Sequence, residues 1–324
     1  MRKIRRRKNY TNYIIIACIC IFSVMGIGYG YLQQSLDINL GLSKKTIDIT
    51  DNVVSSGDGL YEDQYEDGRY VYRGSEPNNY IMFNDELWRI IAKEADGTYK
   101  IIRDEWLSNR AYDTANNRTT TKNTYCDHPS SGCSVYGRVS GTYTLGKKSG
   151  TVTEDSSLAE YLNGEYYNSL ISTAKGQIQT HAFNIGGVLE LDQSGNDSIA
   201  KNLQQEKSYT WTGNIGLLNI TDILRTGLDS SCSAVTSCGM PSTINYLLDD
   251  MSTKTSFWTM NGWTSESRTS STGVWTVEKD RGGAFFVGYS AYGTTRSIRP
   301  VTYLKSTIAI MSGDGTKSNP YIIS

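Results

Sequence analysis

Twenty consecutive residues without a charge, Tyr13 to Leu32, follow a tip in which Arg2, Lys3, Arg5, Arg6, Arg7 and Lys8 crowd together. A helix needs about 20 apolar residues to span a hydrocarbon core of roughly 30 Å. The run YIIIACICIFSVMGIGYGYL meets that length and reads as a transmembrane helix. Basic residues before it and acidic residues after it orient the N-terminus to the cytoplasm and the rest outside the cell. A cleaved signal peptide is the rival. Its apolar stretch would be shorter, and only the weak Gly26-Ile-Gly28 and Gly28-Tyr-Gly30 sites follow. The length favours an anchor, and both readings stay open.

The tip also hides an asymmetry. The chain of 324 residues carries 32 Lys and Arg against 33 Asp and Glu. With six basic residues in the tip and the first acid at Asp37, everything beyond is net acidic. A nucleic-acid binder needs its basic groups on the folded domain, so no nucleic-acid partner is expected. Membrane lipid is the expected partner of the N-terminal segment. Hydrophobic residues at 38% and charged residues at 20% are enough for a packed body rather than a disordered one.

The residue inventory limits the chemistry. The only histidines are His128 and His181, which excludes HExxH proteases and three-His zinc sites. No P-loop, GxGxxG or GxSxG occurs, so no catalytic residue, metal or cofactor is assigned. Cys18 and Cys20 lie in the apolar run. The other four form close couples, Cys126/Cys133 and Cys232/Cys238, in Ser- and Gly-rich loops. Proximity favours two local disulfides, which need an oxidising compartment and so agree with export.

Along the chain, residues 1–12 read as the basic tip, 13–32 as the membrane helix and 33–66 as a juxtamembrane linker. The linker ends in a solvated acidic loop with Glu62, Asp63, Glu66 and Asp67. Residues 67–324 read as one ectodomain. YIMFNDELWRIIAKE and YKIIRDEWL flank Asp96-Gly97, a hairpin signal. Residues 110–150 are polar and irregular. A helix capped by Asp155 or Ser156 follows, with Leu158, Tyr161, Leu162, Tyr166 and Leu170 on one face. FWTMNGW, GVWTVEKD, AFFVGYS and SIRPVTYL make the end β-rich. Helices between β-rich ends predict an α+β domain with paired terminal strands.

Several segments resemble a known group. YIMFNDELWRII (80–91), GNIGLLNITD (213–222), FWTMNGW (257–263), IRPVTYL (298–304) and GDGTKSNPYII (313–323) are similar to exported, membrane-anchored proteins of Gram-positive bacteria. These look like relatives of the C-type-lectin-like fold, which formylglycine-generating enzymes also use. The resemblance implies paired terminal strands and a long irregular loop region that carries a ligand site. It brings no reaction with it. Glu76-Pro77-Asn78 matches the sugar-binding triplet of calcium-dependent lectins only by chance, because it precedes the first hairpin and no Trp-Asn-Asp follows.

The candidate ligand face is the Gly/Ser/Thr-rich region 262–296, where Trp263, Arg268, Trp275, Tyr289, Tyr292 and Arg296 alternate with small residues. Rigid aromatics with adaptable polar neighbours suit a binding surface. Arg299, extended before Pro300, reads as a buried ion-pair partner, with Glu86 as its counterpart. The favoured function is a membrane-anchored surface protein binding an extracellular glycan or protein. A structural envelope protein without a discrete ligand is the alternative. An enzyme is the third reading, and a deep pocket lined by His181 and carboxylates would favour it.

Overall fold

Two turns direct the first part of the body. Asn84 and Asp85 both adopt a φ of 57°, the left-handed pair that closes a two-residue hairpin. They fold Tyr80–Phe83 back onto Glu86–Lys93 with Phe83 opposite Glu86. At Asp96-Gly97 the glycine takes φ 85° and Asp96 Oδ1 accepts from the Thr98 N–H at 2.9 Å, which turns the chain into Tyr99–Arg103.

The computed structural model describes residues 46–189, 198–228, 244–249, 251, 256–280 and 283–324, all within one compact unit, Thr46–Ser324. In chain order its strands are β1 (Gly59–Glu62), β2 (Tyr70–Arg73), β3 (Tyr80–Phe83), β4 (Glu86–Lys93), β5 (Tyr99–Arg103), β6 (Leu107–Arg110), β7 (Thr142–Leu145), β8 (Lys148–Thr151), β9 (His181–Asn184), β10 (Thr210–Gly213), β11 (Ile215–Gly216), β12 (Ser256–Trp263), β13 (Gly273–Asp280), β14 (Gly283–Ser290), β15 (Arg296–Ile298), β16 (Val301–Leu304), β17 (Ile310–Ser312) and β18 (Tyr321–Ile323).

The larger sheet runs β11-β16-β5-β4-β3-β18-β17. One edge of the long β4 is shared: β3 takes its first half and β2 its second, with β1 beyond β2. The last strand, β18, lies parallel to β3, with Tyr321 opposite Ile81. A second sheet runs β14-β13-β12-β15-β6, β7/β8 form a separate hairpin, and β9/β10 form a separate antiparallel pair. Trp88, Trp258, Tyr112, Tyr136, Phe83 and Phe183 are fully buried in one continuous core. Buried tyrosines need hydrogen-bond partners: Tyr112 donates to the Met260 carbonyl and Tyr136 to that of Ile215, both at 3.0 Å.

This architecture corrects the expected fold class. The body is mostly β, 36% strand and 17% helix, in place of an α+β, C-type-lectin-like domain with long irregular loops. The physical reason is that the middle of the chain, expected to carry helices and irregular loops, also supplies strands: β7 and β8 pair with each other, as do β9 and β10, and β11 joins the larger sheet. Residues 256–290 pair into three adjacent antiparallel strands, and the glycines serve as close-packing positions within them. The helices are short, such as Ser157–Tyr161, which continues through a wider turn at Leu162–Tyr166. Ser156 caps it by accepting from the Ala159 N–H. Among the described residues no helix is long and apolar enough to cross a membrane. The expected membrane helix, 13–32, lies outside the described residues.

The unit also starts earlier than position 67. Residues 46–66 pack into it: Ile49 and Leu60 are buried, and Asp63 is buried in an ion pair rather than solvated in a linker. Arg299 is buried as expected, but it donates to the carbonyls of Arg103 and Leu247, both at 3.1 Å, and lies over Trp106. Glu86 instead takes Arg103, at 2.6 Å.

Candidate functional site

Side chains alternate between the faces of a strand, and register therefore decides which of the residues 263–296 meet. Trp263 pairs with Gly273, Trp275 with Gly288 and Val277 with Phe286. Trp263, Trp275 and Phe286 consequently share one face, with ring centroids 5.9 Å and 6.4 Å apart along the row. Trp275 is 7% exposed and donates its indole N–H to the Val188 carbonyl at 2.8 Å, so it belongs to the core. Trp263 is half-buried over Gly273 and Gly288; a Cβ at Gly288 would lie 2.3 Å from its ring. Exposed Arg268 reaches to 5.9 Å from that ring. Tyr289 lies on the opposite face, where Arg296 stacks on it at 4.1 Å and reaches Glu278 at 3.2 Å. Tyr292 stands apart at 48% exposure. The six residues thus divide between two faces and do not form one surface.

Cys126 and Cys133 are joined in a disulfide, with Cα atoms 5.4 Å apart. Cys232 and Cys238 lie outside the described residues.

A different set of residues converges elsewhere. A polar cavity of about 210 Å³ is walled by Glu66, Arg69 and Glu94 from the first third of the chain, Lys100 of β5, His181 and Asn184 of β9, and Tyr303 of β16. Glu206 and Lys207, at the end of helix Ser198–Glu206, and Asn219, Thr221, Asp222 and Arg225, in and before helix Ile220–Arg225, complete it. The apolar ITDILR segment is buried along its whole length, which carries Asp222 and Arg225 inside with it.

Those charges survive burial by holding one another. Asp222 meets Lys100 at 2.6 Å, Arg69 at 3.5 Å and Arg225 at 3.7 Å. Arg69 also binds Asp63 at 2.5 Å and Glu94 at 2.8 Å. Arg225 binds Asp63 at 2.7 Å and Glu66, and Glu66 in turn takes Lys207 at 2.5 Å. Burial alone would raise the Asp222 carboxyl, but Lys100, Arg225 and Arg69 hold it below the usual carboxylate range. Glu66 shows the same balance: burial pushes up, and Arg225, Lys207 and Arg69 bring it down to about 2. Burial would likewise discharge Lys100, and Asp222 keeps its ammonium above its ordinary value.

Glu206 is the exception. It is fully buried, among the described residues its carboxylate accepts from the Thr221 N–H at 2.9 Å and the Thr221 hydroxyl, and burial raises it to about 7. At the mouth, His181 stacks on Tyr303 with centroids 3.8 Å apart and planes 14° from parallel. Its Nε2 lies 3.3 Å from Asp96 Oδ2, and its Nδ1 is 3.0 Å from the Ala182 carbonyl.

Of the residues singled out in the sequence, His181 and Glu66 line this cavity, the latter expected in a solvated linker. The cavity's other members are scattered over positions 69 to 303. The one local signal is a charge embedded in an apolar window: Lys100 in YKIIR, and Asp222 and Arg225 in ITDILR. Compared with known proteins, the chain matches no protein family, no curated protein and no solved structure.

Proposed function

We propose that this chain is an exported protein, held at the cell surface through its N-terminal region, that binds an extracellular glycan or protein ligand in the polar cavity. The observation that carries the binding reading is the cavity's construction. Glu66, Glu94, Lys207 and His181 form partly exposed walls, and the buried pairs behind them hold those walls in place. Fixed donors and acceptors bind without first losing side-chain freedom. The basic tip, the uncharged run and the disulfide support the location. The test is capture of the full chain, purified in detergent, on glycan and surface-protein arrays. Lys207→Ala should abolish capture and Tyr292→Ala should leave it intact. Capture lost with Tyr292→Ala and kept with Lys207→Ala would move the site to the exposed aromatic.

A second reading has its own observation. Glu206, at about 7 beside a cavity lined by His181 and further carboxylates, has the proton affinity of a general acid–base. Turnover of a chromogenic glycoside panel that disappears in Glu206→Gln would establish that reading instead.

A further inference from the structure

Resting on the reading of the cavity as the ligand site, we propose that its ligand is a neutral sugar ring, free or at the end of a glycan chain. Three features of the walls point to that class. The first is charge parity. Arg69, Lys100, Lys207 and Arg225 are matched by the carboxylates of Glu66, Glu94 and Asp222 in the wall and of Asp63 behind Arg69 and Arg225, while Glu206 carries only part of a charge at neutral pH. A charged ligand would meet as many repulsive as attractive groups and would leave one partner of a buried pair uncompensated, the costly outcome. A hydroxyl both donates and accepts, so it bridges a carboxylate and an ammonium without disturbing either. Glu66 with Lys207, 2.5 Å apart at the rim, is such a seat.

The second feature is size. About 210 Å³ is below the roughly 300 Å³ at which pockets for drug-sized ligands begin. That leaves room for one ring rather than a peptide segment.

The third is the mouth. One face of the His181 ring is covered by Tyr303, and both ring nitrogens are directed at oxygen atoms of Asp96 and Ala182. The side chain is 23% exposed and lines the cavity, and the ring face turned away from Tyr303 would serve as a platform for the C–H face of a sugar.

The experiment titrates the full chain, in a polyoxyethylene detergent that carries no sugar, with methyl glycosides of neutral hexoses, with a methyl glucuronide and with glucosamine. Saturation-transfer NMR reports binding. The neutral glycosides should bind, and the two charged sugars should bind more weakly. His181→Ala should weaken the neutral glycosides by about tenfold, the upper end for loss of an aromatic face contact. His181→Phe should keep most of the binding. Lys207→Ala, at a half-exposed side chain, tests the rim if the histidine variants fail to fold. Tighter binding of either charged sugar overturns the inference, as does neutral-sugar binding indifferent to both His181 and Lys207. If no sugar binds but a protein captured on the array depends on Lys207, this inference fails and the surface-binding reading stands. If neither class depends on the cavity, both fail.

Discussion

At the scale of single residues, Glu206 shows how burial can be felt from outside as a pH dependence. In the folded chain its carboxyl keeps its proton up to about pH 7, against an ordinary value of 4.5. Between those values the folded state binds more protons than the unfolded one, so stability falls as pH rises. The contribution is complete below pH 4.5, is lost through pH 7, and amounts to about 3 kcal/mol. Glu206→Gln keeps the shape and removes the proton. We expect it to raise the urea midpoint at pH 8, to bring no gain at pH 4.5, and to flatten the slope between. A wild-type and variant difference that is constant across that range would show that Glu206 does not titrate there. Glu66 behaves in the opposite sense: its value near 2 means that its stabilising charge is present above 4.5 and lost only as the pH falls through 2.

At the scale of elements, the β3–β4 hairpin depends on two non-glycine residues at positive φ, Asn84 and Asp85. Asn and Asp tolerate that region better than other non-glycine residues, and here Asn84 Oδ1 also accepts a long-range bond from the Ile171 N–H at 2.9 Å. A β-branched residue has no such compensation. Asp85→Val should cost about 1–2 kcal/mol, read as a lower denaturation midpoint. An unchanged midpoint would show that the turn relaxes freely. The turn at Asp96-Gly97 and a helix cap at Asp155 or Ser156 were legible in the sequence, because turns and caps depend on neighbours a few residues apart; the turn at Asn84-Asp85 was not, and YIMFNDELWRIIAKE reads as one strand until the structure folds it into β3 and β4. The strands in FWTMNGW, GVWTVEKD and AFFVGYS were legible as well; their register, which places Gly273 and Gly288 beneath Trp263, was not.

At the scale of the whole molecule, the body is closed by partners far apart in sequence: β18 on β3, β16 on β5 and β15 beside β12. Against that long-range closure the disulfide is a local clamp. Cys126 and Cys133 are both buried and separated by 7 positions, and closing such a loop contributes about 2.5 kcal/mol on the chain-entropy estimate. Non-reducing peptide mapping should recover the 126–133 link, and a reductant should lower the melting temperature without abolishing folding. Free, alkylatable thiols at both positions in the native protein would overturn this.

Sequence alone determined what depends on adjacency: the basic tip before an uncharged run, the turn at Asp96-Gly97, a helix cap at Asp155 or Ser156, and Cys126 beside Cys133. Tertiary structure alone decided the class of the fold and the site. Whether Trp263 and Tyr289 share a face follows from strand register, which no single segment contains. Whether Asp63 is solvated or buried depends on Arg69 and Arg225, and the latter lies more than a hundred residues away. A carboxylate in water and one locked between two guanidiniums have the same local sequence. What separates them is the desolvation that folding imposes and the distant cations that offset it.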